Sequence, residues 1–203
     1  MIDSYFTIED SVLHKIARKK SRFIALLFPI ESQDDVQRQL ESMRKSYHDA
    51  THHCFAYRLL LDDAVIEVSN DDGEPSGSAG LPMMQQLTGK DLCNVLAIVV
   101  RYFGGTKLGV GGLIRAYSEG VSEALARACI VTRTLMARIT IRFPVAVNSN
   151  VMSIVHRFSA HIESLLYEEP VRVEITLPPS QVEAFRAALT EATGARIKLE
   201  VEL

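Results

Sequence analysis

The chain has 203 residues, 47% of them hydrophobic, and a formal net charge of -3 from 22 Lys and Arg against 25 Asp and Glu. That length has room for one large or two small packed domains. The near-neutral charge, balanced on both sides of Thr134, excludes a general polyanion binder, so any nucleic-acid contact must come from a local patch. No apolar run approaches the roughly 20 residues of a membrane-spanning helix and the N-terminus has no signal-peptide core, so a cytoplasmic protein with no membrane partner is expected.

Ser4 to Ile8 alternates weakly, as an edge strand does. The basic cluster Lys15, Arg18, Lys19, Lys20 and Arg22 leads into the apolar run Phe23 to Phe28; it reads first as a solvated flank and second as a phosphate-contacting patch. From Ser32, with Asp34 and Asp35 in the first turn, Val36, Leu40 and Met43 mark an amphipathic helix to about Tyr47. Two strand-like pieces follow, His52 to Leu61 and Val65 to Ser69, joined by a turn at Asp62 and Asp63. His52 and His53 are candidate acid-base residues, but neighbours on a strand point to opposite faces, so only one can enter a given pocket. Ser69 to Gly80 is too rich in Gly, Asp, Ser and Pro for regular structure, and its length favours a functional loop. Asp71, Asp72 and Glu74 are candidate oxygen ligands for a hard cation such as magnesium, against the plainer reading that turn carboxylates bond nearby amides. Leu81 to Leu87 reads as a short helix with Pro82 in its first turn.

The central stretch runs from Cys93 to Arg127. Val95 to Val100 is a continuous apolar run, as in a strand covered on both faces, and Leu113, Tyr117, Val121 and Leu125 recur at helical spacing. Between them lie Gly104, Gly105, Gly109, Gly111 and Gly112 at a helix start, where amide donors lack intrahelical partners. With Arg101, Lys107 and Arg115 this is a candidate anion or nucleic-acid cradle; a purely structural turn is the equal alternative. Neither standard phosphate-binding glycine signature is present, because Gly89-Lys90 is followed by Asp91 and Gly109-Val110-Gly111 by no third glycine at the required place. Cys54, Cys93 and Cys129 are widely spaced in apolar sequence and read as reduced core thiols.

Beyond Val131 to Arg133 the pattern changes. Ile139, Ile141 and Phe143 alternate; Val151, Ile154, Val155 and Phe158 are helical; Ile162 to Tyr167 and Val171 to Leu177 are strand-like. Pro178 and Pro179 open a helix through Val182, Phe185 and Leu189 that ends at Gly194, and Ile197, Leu199 and Val201 close the chain. Strand, helix, strand, strand, helix, strand is the order of a ferredoxin-like domain. The chain is therefore read as α+β, with domains at 1–134 and 135–203.

Four blocks resemble the family of bacterial YigZ and eukaryotic IMPACT proteins: Lys19-Lys20-Ser21-Arg22-Phe23; His52-His53-Cys54; Asp71-Asp72-Gly73-Glu74-Pro75 with Gly77 and Ala79-Gly80; and Arg101-Tyr102-Phe103-Gly104-Gly105 running through Leu108-Gly109 and Gly111-Gly112-Leu113 to Ala116-Tyr117. Val110 stands where that family commonly has Thr, and Asn70 where Ser is frequent. The resemblance implies an N-terminal βαβ domain like the second domain of a small-subunit ribosomal protein and a C-terminal domain similar to the last domain of elongation factor G. It also implies a link to translation, since the eukaryotic members regulate translation initiation; their further N-terminal interaction domain is not expected ahead of Met1 here.

Two functional classes follow. The first is a non-enzymatic, translation-associated binding or regulatory protein that contacts RNA, the ribosome or a translation partner through the glycine-rich helix start, with no cofactor required. The second is a magnesium-dependent enzyme acting on a phosphorylated small molecule or nucleotide, with Asp71, Asp72 and Glu74 on the metal and His52 or His53 moving the proton. A scaffold using an acidic C-terminal sheet face, with Glu168, Glu169, Glu174, Glu200 and Glu202, is a third.

Overall fold

A computed structural model describes residues 2–61, 64–195 and 197–202; the turn expected at Asp62 and Asp63 lies outside them. The chain divides into two compact units, one of Tyr5–Arg133 and one formed from Thr134 onward together with the residues before Tyr5.

In the first unit, β1 (Ser4–Ile8) is followed by β2 (Val12–Arg18), β3 (Ser21–Pro29), α1 (Gln33–Ser46), β4 (His52–Leu61), β5 (Ala64–Asn70), α2 (Gly80–Thr88), β6 (Val95–Tyr102) and α3 (Val110–Leu125); β7 (Ile130–Thr134) pairs with β1. Among the described residues the main sheet has five strands in the order β2-β3-β6-β4-β5. Both β3 and β4 run antiparallel to β6 and therefore parallel to each other, with α1 as the crossover of a βαβ unit. β6 is central and fully covered: Val95, Ala97 and Val99 pack under α2 and α3, while Leu96, Ile98 and Val100 pack with Val36 and Leu40 of α1. That is why its sequence shows no polar alternation. Ser32 caps α1, its hydroxyl accepting from the Asp35 amide.

β2 lies where only a basic flank was read. Its residues are half-exposed, so their alternation carries little apolar signal. It turns into β3 through Lys19 and Lys20, both at positive φ, 46° and 68°, the backbone of a two-residue type I′ hairpin.

The second unit contains β8 (Ala137–Phe143), α4 (Asn148–Arg157), β9 (His161–Leu166), β10 (Val171–Leu177), α5 (Val182–Thr193) and β11 (Lys198–Glu202). Its antiparallel sheet has the order β11-β8-β10-β9, the ferredoxin-like arrangement. Ile139, Ile141, Phe143, Val171, Val173 and Ile175 turn one face into a core with Val151, Val155, Phe185 and Leu189 of the helices. Pro179 to Gln181 form a single 3-10 turn, so α5 proper begins at Val182, and Gly194 ends it in the left-handed conformation. On this unit's sheet Glu174 pairs with Arg172 and Glu200 with Arg142, so these two strand carboxylates each have a neighbouring arginine.

Candidate functional site

The functional candidates gather at one end of the five-stranded sheet. Register places Phe23 of β3 beside Arg101 of β6, and Arg101 beside His52 of β4, in one row across three strands. The period of two sends His52 with Cys54 and Ala56 toward α2 and α3, and His53 with Phe55 and Tyr57 toward α1. The two histidines therefore separate, as strand geometry requires. His53 is 9% exposed, its Nε2 has no hydrogen-bond partner, and burial lowers its pKa despite the nearby Asp72. It sits on the face opposite the cleft described below and does not share a site with His52.

Arg101 is the one charged residue in β6, and it is only 5% exposed. A buried guanidinium needs a counterion, and Glu74, 8% exposed, supplies it at 2.5 Å. The same Glu74 oxygen accepts the Tyr117 hydroxyl of α3 at 2.7 Å, and Cys54 Sγ lies 3.3 Å from that hydroxyl. Arg101 also stacks over the Phe23 ring, 5.4 Å from its centroid, and Phe23 meets Tyr117 edge-on at 5.2 Å. Burial raises the Tyr117 phenol well above its usual range and pushes the Cys54 thiol up to about 12. Both stay protonated at neutral pH, so Cys54 is not a nucleophile.

The acidic loop is organised from within. The Asp71 carboxylate accepts from the amides of Gly77, Ala79 and Gly80 at 2.8 to 2.9 Å. Burial alone would raise its pKa; those amides outweigh burial and hold it below the usual value. Asp72 accepts from the His53 amide at 2.6 Å. Asp71, Asp72 and Glu74 are thus divided among three tasks, and among the described residues no three His, Cys, Asp or Glu side chains are grouped to hold a metal ion. The structure does not bring together the carboxylate set that the magnesium reading needs.

The glycines serve two distinct needs. A Cβ on Gly104 would sit 2.1 Å from the Lys20 carbonyl carbon, so the β2–β3 hairpin can seat against β6 only with glycine there. Ser21 Oγ locks that contact, accepting from the Gly104 amide at 3.1 Å. Gly109 stands at φ 75° as the N-cap of α3 and offers no side-chain cap. Gly105 lies in the connection, and Gly111 and Gly112 are in the first turn of the helix, where amides have no intrahelical acceptors.

A cleft of about 360 Å³ opens at this point, lined by Thr51, His52, Glu74, Pro75 and Arg101 on one side and by Phe103, Lys107, Leu108, Gly109, Val110 and Leu113 on the other. Five of the expected site positions, His52, Glu74, Arg101, Lys107 and Gly109, line it together; Glu74 and Arg101 do so as a buried pair and Lys107 as an exposed cation. Arg115 does not join them. Two residues beyond Leu113, it lies on another side of α3, beside Gln86, Ser118 and Glu119. Sequence reading passed over Phe103, 46% exposed at the cleft, and Tyr117, whose polar tip on a buried helix face signals a partner. Exposed cations surround this end of the sheet: Lys19 and Lys20 on the hairpin, Arg22 stacked over Tyr102 at 4.6 Å, and Lys107. Of the cysteines, Cys54 and Cys93 are buried as expected, but Cys129 is exposed, because it falls in the connection between α3 and β7.

The IMPACT N-terminal domain family matches residues 19–125, which hold the whole of this constellation. The chain belongs to the IMPACT family. A domain family of unknown function, DUF1949, matches residues 151–196 of this IMPACT-family protein. The IMPACT family member YvyE of Bacillus subtilis is 36% identical over 97% of this chain and 90% of its own length. The IMPACT homolog of Dictyostelium discoideum is 40% identical over 98 residues, 46% of this chain and 28% of that protein. A crystal structure of a hypothetical protein, 31% identical, superposes with a TM-score of 0.69 and covers 98% of this chain and 97% of its own. No helix among the described residues is long and apolar enough to cross a membrane.

Proposed function

We propose that this protein is a translation-associated regulatory protein that binds RNA at the cleft end of its five-stranded sheet. The observation that carries the reading is the grouping there of Lys107 and the exposed Phe103 ring at a helix start without a side-chain cap, with the exposed Lys19 and Lys20 of the hairpin that seats against Gly104. Cations of this kind neutralise phosphates, and exposed rings next to them stack on unpaired bases. Overall charge does not compete with this, because the binding is local on a chain of net charge -3. The translation setting is supported by family membership, whose eukaryotic branch regulates initiation. The ribosome is the RNA-bearing partner that best matches that setting.

The magnesium-enzyme reading gains no support from the carboxylates, which are engaged by amides of the acidic loop, by the His53 amide of β4 and by Arg101. Binding is the simpler role for the cleft. The test is co-sedimentation with ribosomes at low and raised salt, for wild type and for Lys19→Ala with Lys20→Ala and Lys107→Ala. Salt-sensitive association that is lost in the triple variant is expected; association at equal strength in both proteins overturns the site.

A further inference from the structure

His52 is set up as a hydrogen-bond acceptor inside the cleft. Its Nδ1 lies 2.7 Å from the Asp72 carbonyl oxygen. A carbonyl can only accept, so in the neutral ring Nδ1 carries the hydrogen and Nε2 is left with a free lone pair. Glu74 lies 3.9 Å from Nε2 and is itself acceptor-only toward Arg101 and Tyr117, so it cannot satisfy that lone pair. The cleft therefore presents an acceptor, His52 Nε2, beside an aromatic surface, Phe103, and a cationic corner made by Lys107 and the uncapped amides of α3. A second sign of an unmet contact lies in the same wall. Arg101, 5% exposed, keeps its Nε without a hydrogen-bond partner although its other nitrogens are engaged.

A ligand that matches all of these carries an anionic group, a flat ring and a hydroxyl that can donate. A volume of about 360 Å³ suits one such unit, not a folded duplex. We infer that the cleft takes a single ribonucleotide, its phosphate at Lys107 and the start of α3, its base on Phe103 and its 2′-hydroxyl donating to His52 Nε2. This deepens the RNA-binding reading and rests on it: an unstacked nucleotide of a single-stranded RNA fills the cleft while Lys19 and Lys20 hold neighbouring phosphates. The same chemistry is offered by a free ribonucleoside monophosphate, and the experiment separates the two. The 2′-hydroxyl is the group that distinguishes RNA from DNA, so His52 is assigned the role of selecting between them.

The test uses the full chain with fluorescein-labelled octauridylate and octadeoxyuridylate, which differ only at the 2′ position, and calorimetric titration with UMP and dUMP. The ribo-oligomer is expected to bind about fivefold more tightly than the deoxy-oligomer, the worth of one net hydrogen bond. His52→Asn keeps a donor for the Asp72 carbonyl but removes the Nε2 acceptor, and it should equalise the two affinities. His52→Gln, whose amide oxygen reaches the Nε2 position, should restore part of the preference. Equal affinity of wild type for both oligomers leaves RNA binding intact and overturns this inference, as does a preference that persists in His52→Asn. Binding of UMP over dUMP with neither oligomer bound makes a free nucleotide the ligand and overturns the polymer reading. No binding of any of the four probes overturns both.

Discussion

Replacing Glu74 with Ala removes the counterion of Arg101 from a place where water cannot replace it. The pair is separated by 2.5 Å, and the two side chains are 6% and 3% exposed. Truncating one partner of a buried pair leaves the other charge uncompensated, which costs about 3–5 kcal/mol. Tyr117, fully buried, loses its acceptor in the same step. For a domain of this size the expected fall in melting temperature is roughly 10–20 °C. The chain contains no tryptophan, so scanning calorimetry is the assay of choice, and it also resolves the two compact units if they melt separately. Arg101→Met should cost a similar amount, whereas Glu74→Ala combined with Arg101→Met removes both charges and should cost well under the sum. A Glu74→Ala shift below about 2 °C, or strict additivity in the double variant, would refute the claim that this pair holds the cleft wall together.

Gly104→Ala places a methyl group against the Lys20 backbone at 2.1 Å, where no side chain can swing aside. It should destabilise by about 2–3 kcal/mol, in the range of core overpacking, and speed amide exchange in the β2–β3 hairpin. Asp71, held below its usual pKa by three amides that outweigh its burial, contributes stability that is present above about pH 4, its ordinary range. That contribution is lost as pH falls through the lower folded value. The stability gap between wild type and Asp71→Asn should therefore narrow on acidification, as read by urea denaturation across pH; a gap independent of pH would contradict it. Iodoacetamide followed by mass spectrometry should label the exposed Cys129 in the folded protein, while Cys54, buried and with its thiol at about 12, should react only after unfolding.

Much of the fold could be read from local pattern because local pattern makes it. The continuous run Val95 to Val100 is central and doubly covered, and Ser32 caps the helix that its position announced. The alternating and helical segments after Ala137 assemble as a ferredoxin-like sheet. β2 escaped because its residues are half-exposed and its turn uses Lys19 and Lys20 at positive φ, where Asn-Gly is the usual signal. Within the site, the histidine split followed from strand period alone. The Glu74–Arg101–Tyr117 network did not, because it joins a loop, a strand and a helix far apart in sequence. One clue was present: an arginine within an otherwise apolar strand must find a partner, and the acidic loop held the candidates. Reading Arg101 only as a cation of the anion cradle missed that consequence. Arg115 was grouped with Lys107 by sequence nearness, but helical rotation carries it to another side of α3.

The most direct test of the central claim is ultraviolet cross-linking of the full chain to single-stranded RNA, with the cross-linked peptides mapped by mass spectrometry. RNA binding at the cleft predicts adducts on the peptide that carries Tyr102 and Phe103, reduced by Lys19→Ala with Lys20→Ala and by raised salt. Adducts confined to residues beyond 134, or none on the Tyr102 and Phe103 peptide under conditions where RNA is bound, would contradict it.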